Sequence, residues 1–379
     1  MFKLFSVDDH IVEPPGVWVD RVAQADKERV PHVVERGGRQ TWVWEGGSEA
    51  TMGLNAVAGK PREQWGAEPA RFDDMIPGCY NPHERKKDFL SQGIFASVGF
   101  PTLPGFGGRK FGLYPDKDLA LMCVRAWNDY VLDEWCAAAP EMYVPMTIAP
   151  TWDAKLAAEE TTRCLEKGSK ALCWLEDPAN VGEPGYHADY WDPLFAVCQE
   201  ADVPVCMHIG SALKQIGFEQ NSIPMVEIAA AFANAGRSAT NMMCSPIPRK
   251  FPNIKLVWSE GGIGWITAAL ERADRQWERH QYWTHVPYAD VLPSTVAKRN
   301  MWFCMIEEPL ALRYRHDFVV DHILCESDYP HADTPFPNTQ ATFKILFDGV
   351  PANEVDKMTH SNAEELFQFP MTVPEGIDR

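Results

Sequence analysis

The chain has 379 residues, 45% of them hydrophobic, and a formal net charge of −18. This length allows one large domain or two ordinary ones, and the negative charge argues against nucleic acid or an anionic membrane as a partner. The sequence contains neither a run of about 18 apolar residues nor a signal peptide pattern, so we expect no membrane association. The ten cysteines include no Cys-x-x-Cys pair, which is typical of reduced thiols in a cytoplasmic protein.

Eight short apolar segments follow one another along the chain. They cover residues 5–11, 94–100, 143–150, 170–176, 203–210, 254–262, 301–308 and 322–330. Each is too short for a typical helix and is rich in residues that favour strands, so each is predicted to form a strand. Helix-like stretches lie between them, at residues 82–93, 117–140, 151–168, 188–202 and 262–280.

The alternation of apolar strands and helices predicts an α/β fold in which helices cover a parallel sheet. Eight such units predict a (β/α)8 TIM barrel that forms a single domain over residues 1–379. An open, doubly wound sheet is the alternative, but no Gly-x-Gly-x-x-Gly motif follows the first strand. Long insertions at about residues 13–75, 102–116 and 209–235 follow strands 1, 2 and 5, so we expect them on the catalytic face as loops or binding walls.

Polar side chains end four of the predicted strands. Asp8 and His10 end strand 1 and share one face of it, because side chains alternate along a strand. His208 ends strand 5, Glu260 ends strand 6 and Asp328 ends strand 8. Each residue alone has an ordinary explanation, such as a hydrogen-bonded core histidine or a turn carboxylate. Active sites of TIM barrels lie at the carboxyl ends of the strands, so the combination predicts an active site in the barrel mouth.

The same residues carry a resemblance to a known family. The motifs Asp8-x-His10, VPVCMHIGS, LVWSEGGIGW, ILCESDYPH and SNAEELF resemble those of amidohydrolase-related (amidohydrolase 2) metal-dependent TIM-barrel enzymes. They are most similar to the branch that includes aminocarboxymuconate semialdehyde decarboxylase and resorcylate decarboxylase. The resemblance extends from residue 5 to about residue 367. It implies that Asp8, His10, His208 and Asp328 are metal ligands, and that Asp328 is also a proton shuttle.

Two departures from the family pattern bear on the chemistry. Relatives with two metals often have a carboxylated lysine at the end of strand 4, whereas this strand ends Cys-Trp-Leu-Glu, so we expect one metal. Decarboxylases of the branch usually have a catalytic histidine on strand 6, where this chain has Glu260. The mixed nitrogen and oxygen donors suit Zn²⁺ first and Mn²⁺ second.

A bound metal lowers the pKa of its water toward about 7, which suits attack on a carbonyl carbon. Asp328 and Glu260 are the predicted catalytic residues: Asp328 takes the water's proton, and Glu260 shares that role or orients the water. A structural role is the alternative for Glu260, as an acceptor for the backbone of the following Gly-Gly-Ile-Gly. His331, Trp174 and Ser211 are the predicted substrate contacts.

The preferred function is a metal-dependent hydrolase that acts on a small amide, ester or lactone. The alternative is a non-oxidative decarboxylase of a hydroxylated aromatic or unsaturated acid, and a non-catalytic binding barrel is less favoured. A small molecule is the expected substrate, and a homodimer is the expected assembly. Four tryptophans of the first insertion are expected to cover a pocket or a subunit interface: Trp18, Trp42, Trp44 and Trp65.

Overall fold

The computed structural model describes residues 1–50, 53–66, 71–211, 223–286 and 291–374. Its strands are β1 Leu4–Ile11, β2 His32–Arg36, β3 Arg39–Trp44, β4 Gly47–Ala50, β5 Ile94–Pro101, β6 Tyr143–Val144, β7 Met146–Ile148, β8 Ala171–Trp174, β9 Val205–His208, β10 Leu256–Ser259, β11 Met301–Met305 and β12 Ile323–Cys325. Its α-helices are α1 Gly16–Val19, α2 Pro82–Gln92, α3 Arg109–Gly112, α4 Lys117–Tyr130, α5 Ala154–Glu166, α6 Asp192–Glu200, α7 Pro224–Ala230, α8 Phe232–Cys244, α9 Ile247–Lys250, α10 Ile266–His280, α11 Pro293–Asn300, α12 Thr339–Leu346, α13 Ala352–Asp356 and α14 Asn362–Phe367.

Parallel strands form the barrel in chain order. One sheet has the order β1-β5-β6 and a second has the order β12-β11-β10-β9-β8-β7. β6 and β7 are two parts of barrel strand 3, interrupted by Pro145, which has no N–H for the ladder. The barrel closes where the segment after β12 meets β1: Asp328 N–H donates to Asp8 O at 2.9 Å and His10 N–H donates to Tyr329 O at 2.7 Å. The predicted (β/α)8 barrel is therefore confirmed.

The barrel strands are almost entirely buried, as expected when helices cover the outside of a barrel. All eight residues of β1 are buried, and so are all four residues of β9 and of β10. Parallel pairing aligns the strand ends: Ser259 at the end of β10 lies opposite His208 at the end of β9. The polar residues that follow these apolar segments consequently meet at one edge of the barrel.

The first insertion contains an antiparallel sheet that the sequence analysis did not predict. β2, β3 and β4 pair in the order β2-β3-β4, with His32 opposite Val43 and Trp42 opposite Glu49. Trp42 is fully buried and packs edge-to-face on Trp18, with ring centroids 5.4 Å apart. These two indoles therefore attach the insertion to the core and do not form an exposed subunit interface.

The other two insertions differ in how much of them is described. The 102–116 insertion forms a short 3₁₀ turn, Phe106–Gly108, followed by α3. The 209–235 insertion contains α7, but its residues 212–222 lie outside the described residues, and with them most of the predicted binding loop. No helix in the described part of the chain has both the length and the apolar character that crossing a membrane requires. That residues 1–379 form a single domain stays a prediction.

Candidate metal centre

The four predicted ligands meet in the barrel mouth. His10 Nε2 lies 2.7 Å from Asp328 Oδ1, and His208 Nε2 lies 3.3 Å from Asp8 Oδ2. None of the four side chains is more than 1% exposed. Asp8, His10 and His208 each present one potential ligand atom within 4.8 Å of the others, and His10, Glu260, Asp328 and His331 form a second such group.

Several of these buried atoms have no hydrogen-bond partner. They are both carboxylate oxygens of Asp8, Nδ1 of His10 and Nε2 of His208. A buried polar atom without a partner costs about 1–3 kcal/mol, so four in one cluster fit a site that binds a cation. The oxygen and imidazole donors fit a divalent metal such as Zn²⁺ or Mn²⁺.

The orientation of His208 is set by its neighbours. Its Nδ1 lies 2.7 Å from the carbonyl oxygen of Ile209, and an N–H donated there leaves Nε2 with its lone pair toward the cluster. A hydrogen bond of this kind fixes the tautomer and ring orientation of a metal-binding histidine. On one face the ring stacks on Phe106, with centroids 3.6 Å apart. The insertion after strand 2 therefore contributes to the site through an aromatic contact.

Two residues of the site have left-handed backbone conformations. Asp328 has a φ of 50° and Glu260 a φ of 56°. Such conformations cost of order 1–3 kcal/mol in residues other than glycine and cluster at functional sites. Asp328 is held by its own N–H, which donates to Asp8 O at 2.9 Å, and by its carbonyl oxygen, which accepts from His331 N–H at 2.8 Å.

The electrostatics of the cluster reflect an excess of buried carboxylates. Burial raises the pKa of Asp8 well above its usual range, and the neighbouring carboxylates raise it further, Glu326 foremost. Burial also raises the pKa of Glu260, with Asp328 as the next cause. Burial alone would raise the pKa of Asp328 too, but the charges of His331 and His10 lower it below its usual range. A divalent cation would favour the ionised form of all these carboxylates.

Asp9 points away from this cluster, as strand alternation predicts. Its carboxylate accepts hydrogen bonds from Ser97 Oγ at 2.6 Å, from Ser327 Oγ at 2.5 Å and from Tyr329 N–H at 2.9 Å. The buried guanidinium of Arg85 donates to the carbonyl oxygen of His10 at 2.7 Å. Both side chains therefore anchor the end of β1 from behind the site, and neither role was predicted from the sequence.

Glu260 directly follows β10, the sixth strand of the barrel, and faces the cluster. Its Oε2 lies 3.1 Å from His208 Nε2 and its Oε1 lies 3.6 Å from His331 Nδ1. The structure does not favour the structural alternative for Glu260, an acceptor for the following glycine-rich backbone. Glu308 accepts those hydrogen bonds instead, from the N–H groups of Ile263 and Gly264 at 2.8 and 3.1 Å.

An open cavity of about 820 Å³ adjoins the cluster. Glu260 and His331 line it together with Trp65, an early tryptophan that was predicted to cover a pocket. His331 Nδ1 lies 2.7 Å from Asp328 Oδ2, and its side chain is 19% exposed. The predicted substrate contact His331 is therefore suitably placed, although its role stays a prediction.

Trp174 and Ser211 do not lie among the described residues that line this cavity. Trp174 is fully buried and packs edge-to-face on Trp191, with centroids 4.9 Å apart. Ser211 is also fully buried, and its hydroxyl accepts from Glu176 N–H at 2.8 Å. Their roles as substrate contacts stay predictions, and this placement does not favour them.

A barrel with a buried cluster of imidazoles and carboxylates at the carboxyl ends of its strands is the architecture of a metal-dependent barrel enzyme. The Amidohydrolase family model matches residues 99–369. The chain belongs to this family, which confirms the resemblance described above. No curated protein matches the chain.

Solved structures share the fold across nearly the whole chain. An amidohydrolase from Mycobacterium avium subsp. paratuberculosis K-10 superimposes with a TM-score of 0.73 at 20% identity, covering 97% of this chain and 99% of that one. The 5-carboxyvanillate decarboxylase LigW from Sphingomonas paucimobilis gives 0.68 at 20% identity, covering 98% and 100%. A 5-carboxyvanillate decarboxylase from Novosphingobium aromaticivorans DSM 12444, with bound manganese and 3-methoxy-4-hydroxy-5-nitrobenzoic acid, gives 0.68 at 15% identity, covering 97% of each chain.

Proposed function

We propose that the protein is a metal-dependent carboxy-lyase that removes CO₂ without oxidation from a small hydroxylated aromatic or unsaturated acid. The observation that carries the proposal is the position of Asp328, whose two oxygens lie 2.7 Å from His10 Nε2 and 2.7 Å from His331 Nδ1. A carboxyl group held in this way beside a metal donor set can deliver a proton to carbon. The decarboxylases among the structural neighbours support this reading over hydrolysis.

The residues that would hold the metal are Asp8, His10, His208 and Asp328. When bound, a divalent metal supplies positive charge against the substrate's carboxylate and its adjacent hydroxyl. The manganese in one neighbour supports Mn²⁺, and the same donors suit Zn²⁺. One such ion per chain is part of the proposal.

The protein's own groups handle the proton. Protonated His331 passes its proton to Asp328, which delivers it to the ring or alkene carbon that bears the carboxylate. The carbon–carbon bond to the carboxylate then breaks, CO₂ leaves, and its bonding electrons restore the double bond. His331 connects Asp328 to the cavity, so it can return a proton from solvent to Asp328 after each turnover. Phe106 covers one face of His208 and limits the access of water from that side.

Hydrolysis is the second candidate, and one observation favours it. Glu260 occupies the strand 6 position at which decarboxylases of this branch usually have histidine, and its Oε2 lies 3.1 Å from His208 Nε2. A carboxylate there suits the orientation of an attacking water. Under this reading Asp328 accepts the water's proton and transfers it to the leaving group.

One experiment separates the two candidates. Protein loaded with Mn²⁺ or Zn²⁺ is incubated with panels of hydroxybenzoates, unsaturated acids, lactones and amides, and CO₂ release is measured against acid release. Incubation with the corresponding phenols in D₂O adds a sensitive readout, because a decarboxylase should exchange the hydrogen ortho to the hydroxyl for deuterium. Acid release without CO₂ or exchange would replace the carboxy-lyase with the hydrolase.

Location and assembly complete the proposal. Nine of the ten cysteines are buried thiols that form no disulfide, which supports a reducing, cytoplasmic location. A homodimer is proposed from the family resemblance alone. Sedimentation analysis of the purified protein tests it directly, and a monomer across the accessible concentration range would contradict it.

A further inference from the structure

The loop that carries Glu260 has a backbone that needs external support. It runs from Glu260 to Gly264, directly after β10, and both Glu260 and Gly262 have positive φ angles, of 56° and 66°. A left-handed conformation at a glutamate persists only when the surrounding structure enforces it. Contacts from outside the loop must therefore hold it in place.

Carboxylates from the next two barrel strands make those contacts. Glu326, directly after β12, accepts the N–H of Glu260 at its Oε2, at 3.1 Å. Glu308, shortly after β11, accepts the N–H of Ile263 at 2.8 Å and that of Gly264 at 3.1 Å. A carboxyl oxygen accepts N–H hydrogen bonds whether or not the group is ionised, and each such bond contributes about 0.5–1.5 kcal/mol, so these two side chains are well suited to fix the loop.

The close packing around Glu308 also indicates that this side chain holds the loop. A Cβ at Gly262 would lie 2.7 Å from Glu308 Oε1, so the carboxylate occupies the space that a side chain would need. At Gly261 a Cβ would lie 2.6 Å from the Cβ of Ala235 on α8, which closes the other side of the loop. The glycines therefore allow the close approach that brings the backbone N–H groups onto Glu308.

We propose that Glu308 and Glu326 are positioning residues that hold Glu260 against the metal-facing nitrogen of His208. Both oxygens of Glu308 and Oε2 of Glu326 are engaged by the loop backbone, and Oε2 of Glu326 also accepts the thiol hydrogen of Cys304. Neither residue is thereby required to touch the reacting atoms, and both act through Glu260. The inference rests on the proposed metal site, which places Glu260 beside the ligand His208, and it holds for either candidate reaction.

Local hydrogen exchange tests the positioning directly. Glu308→Gln and Glu326→Gln variants of the full chain, loaded with Mn²⁺, are compared with the unmodified protein by hydrogen–deuterium exchange of peptides spanning 256–266. Glutamine keeps the volume but replaces one acceptor oxygen with a donor. Weakening of these hydrogen bonds should raise exchange by about twofold to tenfold, at Ile263 and Gly264 in the first variant and at Glu260 in the second.

A control removes an exposed charge outside the loop. Glu278 lies exposed on α10, the helix that follows the same loop, and Glu278→Gln should leave exchange in peptides 256–266 unchanged. Glu308→Asp restores the charge with a shorter side chain and should exchange at an intermediate rate. Unchanged exchange in both glutamine variants would overturn the proposal. Faster exchange throughout the barrel would also overturn it, because the residues would then be general stabilisers.

Turnover kinetics distinguish a positioning role of Glu308 from a purely structural one. With any substrate found by the CO₂ and acid-release panel, Glu308→Gln should lower kcat at nearly constant KM. Its effect should shrink in a Glu260→Gln background, because residues that act through one another are not additive. Equal effects in both backgrounds would show that Glu308 does not act through Glu260. If no substrate is turned over, the proposed function fails while the exchange experiment still decides the positioning.

Discussion

Replacing Asp328 with asparagine tests the centre of the proposed chemistry. Asparagine tolerates left-handed backbone better than most residues, so the φ of 50° at this position should persist. The side chain keeps its shape and one neutral oxygen acceptor. It loses the negative charge and the ability to carry a proton.

The structure sets the expected magnitude. The carboxylate of Asp328 contacts two imidazoles at 2.7 Å, and asparagine presents an oxygen to only one of them. Hydrogen bonds to charged groups contribute about 1.5–3 kcal/mol against about 0.5–1.5 kcal/mol for neutral ones, so binding of the metal should weaken. General acid–base groups contribute about 10²–10⁴ in rate, so turnover should fall at least about a hundredfold even when metal is added to saturation.

The assay measures CO₂ release and metal content on the same sample. The control is Asp9→Asn, which removes a buried carboxylate from the same mouth but on the side away from the metal donors. That variant should melt at a lower temperature, because Asp9 accepts hydrogen bonds from Ser97, Ser327 and Tyr329, yet keep its metal. An Asp328→Asn protein with full metal content and turnover within threefold of the original would refute the role of Asp328 as proton carrier.

The remaining predictions concern the metal, pH and the support of the site. His208→Ala should lose most of the bound metal while the barrel stays folded, which elemental analysis and circular dichroism would show; retained metal would make His208 an ordinary core histidine. Metal affinity should fall as pH falls, by up to about tenfold per pH unit for each proton displaced. The reason is that burial raises the pKa of Asp8 and only the ionised carboxylate binds metal. Calorimetric titrations with metal at several pH values would contradict this prediction if the affinity did not change with pH. In the metal-free protein the contact with Asp328 raises the pKa of His331 to about 10, although burial opposes the shift. The contribution of this contact to the free energy of unfolding should therefore be complete below pH 6.5 and disappear as the pH rises through about 10. His331→Gln should remove this pH dependence from the stability measured by urea denaturation. Arg85→Met should lower the free energy of unfolding by about 2–4 kcal/mol, because three backbone carbonyls lose a charged donor; an unchanged urea midpoint would contradict the anchoring role.

The sequence by itself determined the barrel and the positions of its candidate ligands. Apolar strand segments too short for helices, repeated with helices between them, are compatible with few folds, so the (β/α)8 architecture followed from the pattern. The polar residues that end those segments had to gather at one edge, because parallel strands align their carboxyl ends. Asp8, His10, His208 and Asp328 were identifiable for this reason, and the family resemblance pointed to the same positions.

Contacts between distant segments were decided only by the tertiary structure. The strands β2, β3 and β4 lie in an insertion whose apolar residues are too scattered to predict a sheet, and Trp42 became a core residue through packing on Trp18. Trp174 looked available at a strand end, but the fold buried it against Trp191. Both outcomes depend on which surfaces meet, and residue spacing along the chain does not encode that.

The hydrogen bonds that hold the loop of Glu260 show most clearly what the sequence determines and what only the tertiary structure decides. Its place at the end of strand 6 was legible in the sequence, and so were the glycines that follow it. The acceptor for that glycine-rich backbone was not, because Glu308 is 44 residues away from Gly264 along the chain and meets it only across neighbouring strands. A hydrogen bond of this kind depends on the register and closure of the barrel, which arise when all the strands have assembled.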